Sequence, residues 1–222
     1  MRTLYHLALC PFSRKVRIVL GEKKLDYSLV EERVTDNRPD FLMMNPAAEV
    51  PVLVEPNGFP VADSNAICEY LNEIAPEPEL FGRDAATRAE VRRLVAWFDH
   101  KFNQEVTERL VFEKLLKRFL GYGEPDSRAI RGGYTNIHHH LEYIAYLTDH
   151  RTWLAGDDFS MADIVAGAHL SAVDYIGDVP WEEHPHAKDW YARIKSRPSF
   201  RPLLQDRLPG VPPPRHYADL DF

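Results

Sequence analysis

Short apolar runs alternate with helically spaced apolar residues over the first eighty positions. Residues 4–9 form one run, and Phe12, Val16, Val19 and Leu20 then repeat at helical spacing. Strands are predicted at 4–9, 25–29, 52–54 and 59–61, and helices at 11–23, at 39–44 and from 63 onward. The order β-α-β-α-β-β-α predicts a small mixed sheet covered by helices, made of a βαβ unit and an antiparallel hairpin.

The pattern changes near residue 80. Two prolines in residues 75–82 prevent the preceding helix from continuing, so this segment is predicted to be a linker. Beyond it the apolar spacing is helical almost throughout. Ser160 and Asp163 have the spacing of a capping box at the start of a further helix, with Phe159 and Ile164 as a hydrophobic staple. The predicted fold class is therefore α/β plus all-α, with an α/β domain over residues 1–78 and an all-helical domain over 84–205.

Residues 206–222 form a tail of different character. Its three consecutive prolines, 212–214, predict an extended, polyproline-like conformation. The acidic and apolar end carries Asp219, Leu220 and Phe222, and disordered solvating tails usually lack such apolar side chains. The tail is expected either to pack on its own domain or to dock on a partner.

Composition and charge narrow the function classes. The chain has 222 residues, is 45% hydrophobic and carries a net charge of −7, and no basic patch suggests nucleic-acid binding. Two cysteines do not make a disulfide framework. No apolar stretch reaches membrane-spanning length, and the N-terminus lacks the apolar core of a signal peptide. These features favour a cytoplasmic protein that binds no nucleic acid and no membrane. His138, His139 and His140 are consecutive in a predicted helix and point about 100° apart, so no metal site is expected.

The strongest chemical signal is Cys10, which follows a strand and opens a helix. Free amides and the helix dipole favour a thiolate at this position. Arg14, Lys15 and Arg17 lie in the first two turns, where cations oppose the dipole. They indicate either an anion-binding site or a solvated basic face.

Taken together, the small α/β domain, the linker and the helical domain with its Ser-x-x-Asp start resemble the cytosolic glutathione transferases. Residues 10–12, Cys-Pro-Phe, are similar to the active-site start of the omega class. The resemblance implies a thioredoxin-like N-terminal domain, a helical C-terminal domain and a homodimer. It also implies a glutathione-dependent transferase or thiol transferase that acts on a small electrophile or a disulfide.

The resemblance further implies which residues form the site. Cys10 is the expected catalytic thiol, with Ser13 as its polar partner or the alternative nucleophile. Arg38 stands where a basic residue meets the glycyl carboxylate of glutathione. Val50 stands before a cis Pro51 and pairs with the cysteinyl backbone. Asp63 and Ser64 match the pair that holds the γ-glutamyl end, where Ser64 and the helix amides take the carboxylate and Asp63 the ammonium.

A narrower resemblance leaves a second function open. The first five residues, the Ser-Arg-Lys-Val-Arg run and residues 217–222 are similar to glutathione-transferase-like division proteins of alphaproteobacteria that bind the tubulin homologue FtsZ. This resemblance implies a non-catalytic scaffold whose tail, through Asp219, Leu220 and Phe222, contacts the filament. A fold does not fix a function, so both interpretations stand at this point.

Overall fold

The computed structural model describes residues 1–220, apart from the side chain of Phe119. The N-terminal part is a thioredoxin-like α/β unit, as predicted. Its strands and helices, in chain order, are β1 Arg2–His6, α1 Pro11–Glu22, β2 Tyr27–Glu31, α2 Pro39–Met44, β3 Val52–Val54, β4 Pro60–Ala62 and α3 Ser64–Ile74.

The four strands form one mixed sheet in the order β2-β1-β3-β4. β1 pairs parallel to β2, with Leu4 opposite Leu29, and antiparallel to β3, with Leu4 also opposite Leu53. The chain order of strands and helices confirms the prediction. β1 ends at His6 rather than at residue 9, because the chain turns at residues 8 and 9 before Cys10.

The C-terminal part is helical, which confirms the second half of the predicted fold. α4 is continuous with a segment of π-helical hydrogen bonding, here called the π segment, whose residues Phe98, Phe102 and Val106 are buried. The helices, in order, are α4 Ala85–Ala96, the π segment Trp97–Leu116, α5 Lys117–Phe119, α6 Ser127–Asp149, α7 Met161–Tyr175 and α8 Pro185–Lys195.

α7 is the central helix of this part, and every one of its residues is buried. Its start is the predicted capping box. The Asp163 carboxylate accepts from the Ser160 amide at 3.1 Å, and the Ser160 hydroxyl accepts from the Ala162 amide at 3.3 Å. Asp163 also accepts from the Trp190 indole at 3.0 Å, so the cap ties α7 to α8.

The two parts share one continuous hydrophobic core. α1 packs against α7, and buried residues such as Val16 and Val19 of α1 belong to the same cluster as Leu170 and Val173 of α7. This packing fixes the start of α1, where Cys10 lies, against the helical part.

Candidate functional site

Cys10 is the N-cap of α1, as the sequence predicts. Its backbone is extended, with φ −70° and ψ 116°, and Pro11 occupies the first helical position. The Cys10 carbonyl accepts from the Arg14 amide at 2.9 Å. The thiol donates to the Val50 carbonyl of the loop before β3, with 3.9 Å between sulfur and oxygen. The Val50–Pro51 peptide is cis, which confirms that prediction.

The electrostatics of Cys10 differ from the expectation of a thiolate. Burial raises the pKa of the Cys10 thiol, and this effect exceeds the opposing pull of the Phe12 and Ser13 amides, the Ser13 hydroxyl and the Lys15 charge. The protonated thiol is therefore the favoured form at neutral pH. The sequence predicts the helix start, which favours the thiolate, but it does not reveal the burial that removes water from the thiol.

Ser13 is fully buried behind the thiol. Its hydroxyl accepts from the Leu7 amide, at 3.4 Å, and so braces the loop between β1 and α1. This placement suits a polar partner of Cys10 better than an exposed nucleophile.

An interdomain cleft of about 770 Å³ holds most of the predicted binding residues. Val50, Pro51, Asp63 and Ser64 line it from the N-terminal part, and the π segment supplies its other wall, from Asp99 to Glu108. The structure therefore brings these four residues together beside the Cys10 contact at Val50.

Arg38 does not line this cleft. Its side chain is 47% exposed and pairs with the buried carboxylate of Glu32, at 2.6 Å. Two further contacts from the Arg38 Nε to the same carboxylate measure 3.1 and 3.2 Å. This ion pair already neutralises the guanidinium charge that the resemblance assigns to a glycyl carboxylate.

The start of α3 is capped by the protein itself. Asp63 has a positive φ of 73°, and its carboxylate accepts from the amides of Asn65 and Ala66, at 2.8 and 2.9 Å. The Asp63 side chain therefore occupies two of the amides at this helix start, and the expected contact of Ser64 with a ligand carboxylate stays a prediction. Ser64 is buried.

The cleft lining is acidic. It includes Glu49, Asp63, Asp99 and Glu108. Among the lining residues that the structure describes there is no lysine or arginine, and His100 is the single histidine. Glutathione carries two carboxylates and one ammonium, so this lining offers it little charge complementarity.

The cations at the start of α1 are neither a solvated face nor an anion-binding site, contrary to both interpretations of the sequence. Arg14, Lys15 and Arg17 are all buried. Arg17 donates to both carboxylate oxygens of Asp206, at 2.8 and 3.0 Å, and Arg14 donates to the same carboxylate at 3.2 Å. These cations join the N-terminal part to the C-terminal segment.

Lys15 pairs with Asp99 of the π segment, and Asp99 also contacts His169 of α7 at 3.4 Å. Burial opposes the Asp99 charge, but His169 and Lys15 outweigh it and lower the pKa of this carboxyl. Asp99, His169 and Asp206 were not found from the sequence. The sequence contained one indication of them, because three cations in the first two turns of a helix are unfavourable unless acidic side chains pair with them.

The described part of the tail packs on its own domain. Tyr217 is fully buried, and Leu220 packs partly against the hydrophobic core. Asp219 is exposed, while Phe222 lies outside the described residues. Residues 215–218 form a 3-10 turn, so the tail is less extended than its prolines predict.

The described residues offer neither a metal-binding cluster nor a membrane-spanning helix. Within positions 1–220 no group of three or more histidine, cysteine, aspartate or glutamate residues is arranged to hold a metal ion. His138 instead contacts His184, with 2.9 Å between ring nitrogens. None of the helices described is both long enough and apolar enough to span a membrane.

Comparison with known proteins identifies relatives over the whole chain. Residues 4–79 match the glutathione S-transferase N-terminal domain, and residues 111–193 match the glutathione S-transferase C-terminal domain. FtsZ-localized protein A of Caulobacter vibrioides is 49% identical over all of this chain and 98% of its own length.

Solved structures give the same picture. The crystal structure of a glutathione S-transferase from Rhodospirillum rubrum F11 superimposes with a TM-score of 0.97 at 62% identity, covering all of both chains. The structure of FzlA from C. crescentus superimposes with a TM-score of 0.95 at 49% identity, covering all of this chain and 99% of the other. These relatives span the tail as well as the two domains.

Proposed function

The chain belongs to the glutathione S-transferase family, and from that premise we propose that it is a cytoplasmic scaffold that binds FtsZ filaments through its C-terminal tail. The observation that carries the proposal is the 49% identity to FtsZ-localized protein A, which runs through the tail. The name of that relative describes a protein that localises with FtsZ. The geometry of the cleft supports the scaffold over the transferase that the wider resemblance implies.

The cleft supports a role other than glutathione chemistry. The Cys10 pKa is raised, the amides at the start of α3 are occupied by Asp63, and Arg38 is paired with Glu32 outside the cleft. The first feature disfavours the thiolate that thiol transfer needs, and the other two leave fewer groups to bind glutathione. The family fold is then retained for its shape rather than for its chemistry.

The tail geometry supports partner binding at a defined surface. Tyr217 anchors the 3-10 turn in the core, so the exposed Asp219 is presented from a fixed point rather than from a free arm. Leu220 and Phe222 follow it and supply the apolar part of the expected contact. A preorganised segment binds with less loss of conformational entropy.

Co-pelleting with FtsZ polymers tests this proposal. Reversing the charge in Asp219→Lys places like charges together at the contact, and we expect binding at least about tenfold weaker. Asp219→Asn removes the charge without repelling the nearby Lys195, so it separates loss of contact from disturbance of the tail. Asp157→Lys, at an exposed position of the helical part, is the matched control and is expected to bind like wild type. Equal binding by all three variants would exclude the tail as the contact.

A glutathione-dependent thiol transferase is the second candidate, favoured by the position of Cys10 at a helix start. In this case glutathione binds through Arg38, Val50, Asp63 and Ser64, and Cys10 exchanges with a disulfide or attacks a small electrophile. Calorimetric titration with reduced glutathione distinguishes the two. Saturable micromolar binding that is lost in Ser64→Ala favours the transferase, whereas no saturable heat favours the scaffold.

We further propose that the protein is a homodimer, as family membership suggests. Large apolar side chains remain exposed on both parts, including Phe59 at 54% and Tyr146 at 71%. Sedimentation equilibrium at micromolar concentration is expected to give twice the chain mass of 25.6 kDa. A single-chain mass at that concentration would contradict the dimer.

A further inference from the structure

Arg14 joins four separate parts of the molecule at one buried guanidinium. Its Nε donates to the Ala8 carbonyl at 2.7 Å, in the loop just before Cys10. One terminal nitrogen donates to the Ser171 hydroxyl of α7 at 2.7 Å and to the Tyr217 hydroxyl of the tail at 3.0 Å. The other donates to Asp206. The N–H groups of a guanidinium point in fixed directions within one plane. A shift of one hydrogen-bond partner therefore turns the group and disturbs its bonds to the others.

Tyr217 is the member of this set that belongs to the tail. Its hydroxyl accepts from Arg14 and donates to the Leu203 carbonyl at 3.1 Å, and its ring packs edge-on against Tyr175, with 5.2 Å between ring centres. Two more contacts hold the same turn. His216 contacts Asp174 at 3.0 Å, and Lys195 donates to the His216 carbonyl at 2.9 Å.

The loop on the other side of Arg14 shapes the surroundings of the thiol. The Cys10 amide donates to the Leu7 carbonyl at 3.2 Å, and the Leu7 amide donates to the Ser13 hydroxyl. The Ala8 carbonyl held by Arg14 lies within this same loop. Two hydrogen bonds, from Arg14 to Tyr217 and from Arg14 to Ala8, therefore connect the tail to the loop before Cys10.

We propose that Tyr217 is a positioning residue that, through Arg14, holds the loop before Cys10 in the form that keeps the thiol only partly exposed, so that displacement of the tail raises thiol reactivity. The proposal uses the partner-binding role that the proposed function gives the tail, because a bound partner can displace it, but it does not depend on the identity of the partner or on glutathione binding. It gives the tail a second role besides partner contact.

The direction of the effect follows from what surrounds the thiol. Lys15 of α1 and the helix-start amides favour the thiolate, the Val50 carbonyl beside the thiol favours the protonated form, and burial outweighs the first two. A looser loop admits water and lowers the pKa of Cys10. A fall of about one pKa unit raises the thiolate fraction about tenfold, and the lower nucleophilicity of that thiolate reduces the net gain to about threefold.

The test is the rate at which Cys10 reacts with a neutral dipyridyl disulfide. The Cys10 thiolate attacks one sulfur of the reagent, a mixed disulfide forms, and one coloured thiopyridone leaves. Cys68 is fully buried, with its pKa raised by burial to about 12, and the Cys10→Ala protein measures any background from it. Rates are measured across pH, so that a shift in pKa is seen separately from a change in access.

Tyr217→Phe is compared with Tyr175→Phe. Each change removes one hydroxyl and two hydrogen bonds at the tail, since the Tyr175 hydroxyl donates to the Val211 carbonyl and accepts from the Leu208 amide. Only Tyr217 touches Arg14. We expect Tyr217→Phe to react at least about threefold faster at neutral pH, with a lower midpoint, while Tyr175→Phe reacts like wild type.

Two results would overturn the proposal. One is an unchanged rate and midpoint in Tyr217→Phe, and the other is an equal change in both variants, which would indicate general loosening. If Tyr217→Phe does not fold, as judged by circular dichroism, His216→Ala releases the same turn from Asp174 and takes its place, with the same expectations. The assay contains neither glutathione nor FtsZ. Its result therefore tests the coupling between the tail and Cys10 even if the protein binds neither of them.

Discussion

Asp206 stabilises two buried guanidiniums at once, and its removal is expected to be one of the most damaging single changes in the protein. Its carboxylate is 13% exposed, and its partners Arg14 and Arg17 are exposed by 0% and 3%. Asp206→Ala leaves both cations buried without their counter-ion. Breaking a buried ion pair from one side typically destabilises by about 3–5 kcal/mol.

The free energy of unfolding, measured by urea titration, checks this magnitude. For a chain of this size the same loss corresponds to a fall in melting temperature of about 10 °C. Asp206→Asn keeps a hydrogen-bond acceptor but not the charge, so an intermediate loss is expected. The exposed pair Arg118–Glu124 provides the control, with side chains 67% and 78% exposed. Glu124→Ala is expected to change stability by less than about 1 kcal/mol.

A loss below about 1 kcal/mol in Asp206→Ala would refute the reasoning. It would indicate that water or a nearby group replaces the carboxylate, and that the guanidiniums do not depend on Asp206. It would also remove one of the four contacts on which the coupling between the tail and Cys10 depends.

Two further stability predictions follow from buried histidines and from a pair of glycines. Burial lowers the pKa of His6 and of His140 to about 4, so the unfolded chain takes up these protons first and stability falls as pH falls below 6.5. Each histidine is expected to lower the free energy of unfolding by about 2 kcal/mol between pH 7 and pH 5. A His140→Gln variant whose urea unfolding keeps the wild-type pH dependence would contradict this. In α6, a Cβ on Gly133 would lie 2.8 Å from the Leu110 side chain, whereas one on Gly132 would meet only the end of a flexible guanidinium at 2.6 Å. Gly133→Ala is therefore expected to destabilise by about 1 kcal/mol and Gly132→Ala to stabilise by up to about 1 kcal/mol, and thermal melts that rank them the other way would show that the helices separate at this contact.

Features set by neighbouring residues were predictable from the sequence. The helix start at Cys10, the capping box of Ser160 and Asp163 and the order of strands and helices depend on a few adjacent positions. Local rules for caps, turns and periodicity decide them, so one chain is enough.

Features set by long-range packing were not predictable. Arg17 and Asp206 lie 189 positions apart, and Lys15 and Asp99 lie 84 apart, so no local pattern links them. The buried Tyr217 shows the same limit. Its neighbouring prolines predict an extended tail, but a single aromatic side chain seated in the core fixes the described part of it to the body.

The pKa of Cys10 depends both on a local feature, the helix start, and on long-range packing. The helix start favours a thiolate and is visible in the sequence. The burial that raises the Cys10 pKa depends on the loop before it, on the neighbouring Val50 and on the packing of α1 against α7. The larger effect is the one that the sequence does not show.

We propose that this glutathione-transferase fold serves as an FtsZ-binding scaffold. The decisive experiment is a co-pelleting titration of the wild-type protein against GTP-assembled FtsZ polymers from an alphaproteobacterium, at physiological salt. A scaffold is expected to give a saturable bound fraction that Cys10→Ala retains in full. A bound fraction that stays at background across the titration, or one that Cys10→Ala abolishes while the variant remains folded, would contradict it.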